Sequence, residues 1–270
     1  MNVFAFDIET VPDIVAGRRL YGLHGLADDA VVQAMRALRR QHSGGSEFLR
    51  LHLQRVVVIS LAGCIGERFR IWSIGEASAS EADVLARFFA GIERYVPLLV
   101  SWNGSGFDLP VLHYRAMIHG VQAPRYWDNG AAHSDFRWNN YLNRFHERHT
   151  DLMDVLAGYQ SRANAPLDEM ASLCGLPGKM GMSGAQVWDQ VAAGQFDSVR
   201  DYCETDALNT YLLYLRFELM RGKLDAAGYA QACERVKEAL RQSGKAHLDG
   251  FLSAWESAVC EASVAEGATA

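Results

Sequence analysis

A chain of 270 residues, 49% hydrophobic and 21% charged, holds apolar material for one large core or two modest ones. Its net charge of −6 argues against a protein that grips duplex nucleic acid indiscriminately through a basic surface. Five scattered cysteines (64, 174, 203, 233 and 260) with no CxxC pairing argue against a disulfide framework or a thiolate zinc site, and suit a reducing cytosol.

The longest uncharged apolar run, 56–66, is far short of the ~20 residues that span a bilayer. No basic stretch precedes the N-terminal apolar segment, so neither a signal peptide nor a membrane partner is expected and the expected location is cytoplasmic.

In chain order, residues 3–6 form an apolar run ending in Asp-Ile-Glu-Thr, the pattern of a buried strand reaching a polar edge. An insertion over about 11–50 follows. A helix is expected there over 29–40, aligning Val31, Met35 and Leu38 and broken by Gly44-Gly45. Between Val11 and Arg55, seven arginines and no lysines stand against four acids, a local balance of +3 that reads as a solvated helix face. Residues 51–64, rich in Val and Ile, and 69–74 read as an antiparallel hairpin turning at Gly66-Glu67. Ser80-Glu-Ala-Asp83 resembles a capping box opening a helix with Val84, Phe88, Ile92 and Tyr95 at helical spacing. Residues 97–102 read as another buried strand. Helices are then expected over 109–119, 152–159, 167–173, 185–193 and 197–220, with two more near 226–241 and 248–260.

Strand, strand, strand, helix, strand is a meander followed by a helical crossover. The ribonuclease H-like α/β fold has this order, with its first and fourth strands as parallel neighbours in a mixed five-stranded sheet flanked by helices. The expected organisation is one domain over 1–220, a helical C-terminal extension over 221–262 packed on it, and a disordered tail over 263–270.

Three acidic elements stand out. Asp7 and Glu9 are two apart on a strand and so share a face, at the C-terminal strand edge where open α/β sheets place ligands. A chain this long contains on the order of one such pair by chance. Asn103-Gly-Ser-Gly-Phe107-Asp108 leaves the fourth strand through a glycine-rich turn; Asp108 alone reads as a helix N-cap, which leaves its place beside the first strand unexplained. In Tyr202-Cys-Glu-Thr-Asp206, spacing of four puts phenol and carboxylate on one helix face. Asp206 lies among Leu208, Leu212 and Leu215; it either ends a buried stripe and reaches water or needs a partner there, because a bare buried charge is costly.

With DIET, NGSGFD and YCETD in order, the sequence resembles the DEDD 3′–5′ exonuclease superfamily in its tyrosine-bearing branch. The run around GQFDSVRDYCETDALNTYLLY, and His149-Thr-Asp-Leu-Met-Asp154, resemble bacterial proteins related to the proofreading exonuclease of family-B DNA polymerases. The histidine-bearing branch is disfavoured, since the residue five before Asp206 is Asp201. The resemblance covers about 1–220 and implies a 3′–5′ exonuclease acting on single-stranded nucleic acid with a free 3′ end, DNA before RNA. It implies two Mg²⁺ (or Mn²⁺) held by Asp7, Glu9, Asp108 and Asp206, with Tyr202 orienting the attacking water. Asp7 would bridge both ions, Glu9 and Asp206 would serve the nucleophile side, and Asp108 would act through metal-bound water. Bound cations would also offset the acidic charge of such a site. Thr10, Asn103 and Phe107 are expected to hold the terminal nucleotide.

Three features stay open. Asp151 reads as a helix cap or as a partner of the site. Lys179, in the glycine-rich stretch 178–184, either reaches a phosphate or decorates a surface loop. Over 125–150, Tyr126, Trp127, Phe136, Trp138, Tyr141 and Phe145 interleave with Arg125, Arg137, Arg144 and Arg148, a pattern for stacking single strands or for packing a core. Two rivals from other classes are weighed. His146-Glu-Arg-His149 has its histidines three apart rather than four, which disfavours a zinc hydrolase. A non-catalytic binding module on the same scaffold would have no use for four clustered acids and a tyrosine.

Overall fold

A computed structural model describes the backbone of residues 2–267 and side chains to residue 258. Five strands, β1 (Val3–Pro12), β2 (Gln54–Ile65), β3 (Arg68–Ile74), β4 (Leu98–Ser101) and β5 (His149–Asp151), form one mixed sheet in the order β3-β2-β1-β4-β5. β1 is antiparallel to β2, β2 to β3, while β1–β4 and β4–β5 are parallel. The crossover between β1's neighbourhood and β4 runs through α3 (Glu81–Tyr95), capped by the Ser80 hydroxyl accepting from the Asp83 amide at 3.2 Å. This is a ribonuclease H-like α/β sheet.

Alternation along β1 divides the core. Phe4, Phe6 and Ile8 face α3 and α4 (Asp108–His119) in one apolar layer. Ala5 faces the other way, into a layer built from the long helix α8 (Phe196–Met220), α9 (Ala226–Ser243) and α10 (Ala246–Gly267). Burying these two faces is the main force holding the sheet. β1 outruns β4: their pairing is recorded through Ala5 opposite Val100, so Asp7 and Glu9 project where the parallel neighbour has ended. A register shift between Glu9 and Thr10 marks a bulge in the same place.

The insertion holds two helices, α1 (Ile14–Tyr21) and α2 (Asp28–Ser43), of which only the second was legible by periodicity. At Gly17 a Cβ would collide with the Met35 side chain where α1 crosses α2. A buried ion network ties this pair to the body. Arg115 of α4 (2% exposed) donates to Asp13 Oδ2 at 2.5 Å and to both Glu81 oxygens, at 2.8 and 2.5 Å. Glu81 also accepts from the Val56 amide at 2.7 Å.

The shorter helices are α5 (Leu152–Leu156), α6 (Leu167–Leu173) and α7 (Val187–Ala192). α5 stops three residues before the expected end because Gly158 and Tyr159 both take positive φ. The helix expected over 185–193 begins as a 3-10 turn, Gly184–Gln186, before becoming α7. β5 has only three residues and no alternation to betray it. The tail expected over 263–270 lies beyond the described side chains, and 268–270 lie outside the described residues altogether. No helix among the described residues is long and apolar enough to cross a membrane.

Candidate active site

The three acidic elements converge at the C-terminal part of β1. Asp108 is not a cap for α4: the N-cap is Phe107, and the Asp108 carboxylate, 3% exposed, accepts from the Ile8 amide across the gap at 3.2 Å. α8 supplies Tyr202 and Asp206 one turn apart on one face of the helix. Glu9 is buried, whereas Asp7 and Asp206 are half-buried and open to the cleft.

The electrostatics follow from four acids sharing one poorly solvated spot. Burial, then Asp108, Glu9 and Asp206, push Asp7 well above the usual carboxylate range. Burial, then Asp206 and Asp108, do the same to Glu9, against the opposing charge of Lys179. Asp108 is raised to about 7 by burial despite the backbone amides it accepts from. Asp206 is raised to about 6 by burial, held back by the neighbouring Tyr202 hydroxyl and by Lys179. The Tyr202 hydroxyl is pushed up by burial and by Asp206, Glu9 and Asp7, so it stays a protonated donor at neutral pH.

A concentrated, mutually repelling set of carboxylate oxygens calls for a hard cation, and the donor set fits Mg²⁺ or Mn²⁺. Cys203 is the one soft atom nearby: its Sγ and the Asp7 and Glu9 oxygens lie within 4.8 Å of one another. It donates to the Asp7 carbonyl and to Asp7 Oδ2, both at 3.4 Å, and burial and the neighbouring acids raise its thiol. That arrangement holds it as a thiol tethering α8 to β1, which disfavours a thiolate zinc centre.

The loop between β4 and α4 is fixed by Asp151. Its carboxylate accepts from the Asn103 amide at 2.9 Å and the Ser105 amide at 2.8 Å while capping α5 at Asp154, so both readings of this residue apply. Asn103 adopts φ +66°, and a Cβ at Gly104 would strike the Ser101 hydroxyl, so the tight turn requires glycine there. Phe107 meets Phe48 of the insertion with ring centroids 5.7 Å apart, Phe48 being 58% exposed. The Thr10 hydroxyl is turned to Gln54 at 3.2 Å and leaves only its backbone for the cleft.

The aromatic-arginine segment divides. Tyr126, Phe136 and Tyr141 are core residues, Arg148 lies 3.9 Å over the Phe136 ring, and the Tyr141 hydroxyl donates to the Pro97 carbonyl at 2.6 Å. Trp138 and Phe145 are exposed. His149 is buried against the Ser101 hydroxyl at 2.8 Å, and His146 Nδ1 accepts from the Asn140 amide, so these histidines form no zinc pair. Sequence reasoning passed over Cys203, Glu204, Lys245 and His247, whose only signal was polar character on an otherwise apolar helix or at its packing partner.

The sheet order is that of the ribonuclease H-like class, and it carries an acidic cleft beside a tyrosine. Residues 46–255 match the family described as a predicted 3′–5′ exonuclease related to the exonuclease domain of PolB. The chain belongs to that family. The matched stretch carries Asp108, Tyr202 and Asp206 and begins after Asp7 and Glu9. Among curated proteins none matches.

Proposed function

We propose that the protein removes nucleotides from the 3′ end of single-stranded nucleic acid, DNA in preference, with two Mg²⁺ or Mn²⁺ ions held by Asp7, Glu9, Asp108 and Asp206. The observation that carries this reading is the convergence of carboxylates from β1, α4 and α8, with Asp108 and Asp206 raising the proton affinity of Asp7 and Glu9, beside a phenol one turn from Asp206. When bound, such ions lower the pKa of an attacking water and stabilise the departing 3′ oxygen.

The chain's own groups supply placement. Tyr202, held protonated, donates and orients rather than abstracting a proton. Lys179, exposed and near enough to lower Glu9 and Asp206, offers a cation to a backbone phosphate. Phe48 and Phe107 form an aromatic lip for the terminal base, and Asp151 braces the turn that carries Asn103 beside it. The link to PolB supports DNA.

The test is digestion of matched 5′-labelled single-stranded DNA and RNA with Mg²⁺, Mn²⁺ or EDTA, beside Asp206→Ala. The expected result is a ladder shortening from the 3′ end, faster on DNA, absent with EDTA and in the variant. No cleavage with either metal would overturn the proposal.

A further inference from the structure

The helix that carries Tyr202 and Asp206 is gripped from its far side. Glu204, midway between them, is fully buried at 0% exposed. Its carboxylate accepts from Lys245 Nζ at 2.8 and 2.9 Å, from Ser73 Oγ at 2.8 Å, and meets His247 Nε2 at 2.8 Å. The other ring nitrogen of His247 lies 3.3 Å from Asp201 Oδ2, on the residue preceding Tyr202. Asp201, Glu204 and His247 sit close enough to suggest a cation site, but Lys245 already spans both Glu204 oxygens and both His247 nitrogens face carboxylates. This is a closed clamp.

The clamp reaches the chemistry through shared walls. Asp201, Tyr202 and Thr205 line one side of a cleft of about 500 Å³, and His247, Gly250 and Met180 line another. Lys245 stands immediately before α10 and His247 lies in its first turn, and the family match runs through both to residue 255. Helix rotation is the quantity at stake. An atom ~6 Å from a helix axis moves about 1 Å for a rotation of about 10°, and a misplacement of about 1 Å can cost on the order of 10²-fold in rate.

We propose that Lys245 and His247 are positioning residues for the exonuclease reaction, acting through Glu204 and Asp201 to set the rotation of α8 that aims Tyr202 and Asp206. The assignment rests on the function proposed above. It gives the C-terminal helices a role in catalysis that a mere closing of the core would not require.

The experiment compares His247→Gln and the paired change Lys245→Met/Glu204→Gln, which removes cation and carboxylate together so that no buried charge is stranded. Each is made in the wild type and in Tyr202→Phe, with melting temperature recorded. The expected result is a kcat loss of about tenfold or more with KM within about twofold in the wild-type background. In Tyr202→Phe the same changes should cost less than in the wild type, because only the share of the loss that runs through Asp206 is left. Lys245→Arg, which keeps the cation, should recover most of the rate. A Mn²⁺ titration, which needs no cleavage, should show weaker binding in the clamp variants, because Asp206 moves with the helix. Folded variants with unchanged kcat and Mn²⁺ affinity, or equal losses in both backgrounds, would overturn the clamp. A wild type that neither binds Mn²⁺ nor cleaves would overturn the exonuclease reading and this assignment with it.

Discussion

Removing an acid from the cleft should make the metal-free protein more stable, and Asp108→Asn is the cleanest case. Asp108 is 3% exposed and its carboxyl is lifted from 3.8 to about 7, chiefly by burial. That is about three pH units, and one unit corresponds to ~1.36 kcal/mol. Ionised Asp108 therefore costs the folded chain on the order of 4 kcal/mol once pH exceeds both values.

The sign follows from proton binding. The folded state holds this proton more tightly than the unfolded state, so stability is lost as pH rises from about 4 to about 7. Asparagine carries no such proton, and its carbonyl oxygen can still accept from the Ile8 amide. Urea unfolding in EDTA should give matching stabilities for wild type and variant near pH 4. By pH 8 the variant should be ahead by up to about 4 kcal/mol. Excess Mg²⁺ should narrow the gap, since a ligand at 100 times its Kd adds ~2.7 kcal/mol to the form that binds it. A variant no more stable than wild type at pH 8, or ahead by the same margin at every pH, would refute the reasoning.

Asp7→Ala should abolish cleavage while the circular dichroism spectrum stays native; comparable activity in the variant would sink the two-metal assignment. Tyr202→Phe should slow single-turnover cleavage by on the order of 10²-fold, less severely than Asp7→Ala, with a similar dependence on Mg²⁺ concentration. Arg115→Met strands Asp13 and Glu81 in the interior and should cost ~3–5 kcal/mol in urea unfolding. Phe48→Ala should leave stability nearly unchanged, its ring being largely exposed, yet raise KM for the 3′ end in steady-state digestion.

Much of the fold was legible because its signals are local. An unbroken apolar run gave β1, a Val- and Ile-rich stretch with its hairpin partner gave β2 and β3, a buried stretch gave β4, a Ser80 cap gave α3, and α8 was read to within one residue of its observed start at Phe196. The same locality exposed the candidate site: spacing of two on a strand and four on a helix states which side chains share a face before any tertiary contact exists. Where local patterns had two meanings, sequence could not choose. Asp108 had the profile of an N-cap, and the aromatics of 125–150 that of a stacking platform as much as a core.

By itself the sequence determined the order of the elements, and it singled out four acids and a tyrosine as the candidate site. Only the tertiary structure decided what those residues lean on. Asp151 reaches Asn103, Cys203 reaches Asp7, and Lys245 and His247 reach Glu204, each across 41 or more residues of chain. Such contacts carry no periodicity, because they arise where surfaces of already formed helices and strands are pressed together. Their energy comes from burying polar groups in mutually satisfied pairs, and the choice of pair is made by packing geometry rather than by neighbours in sequence.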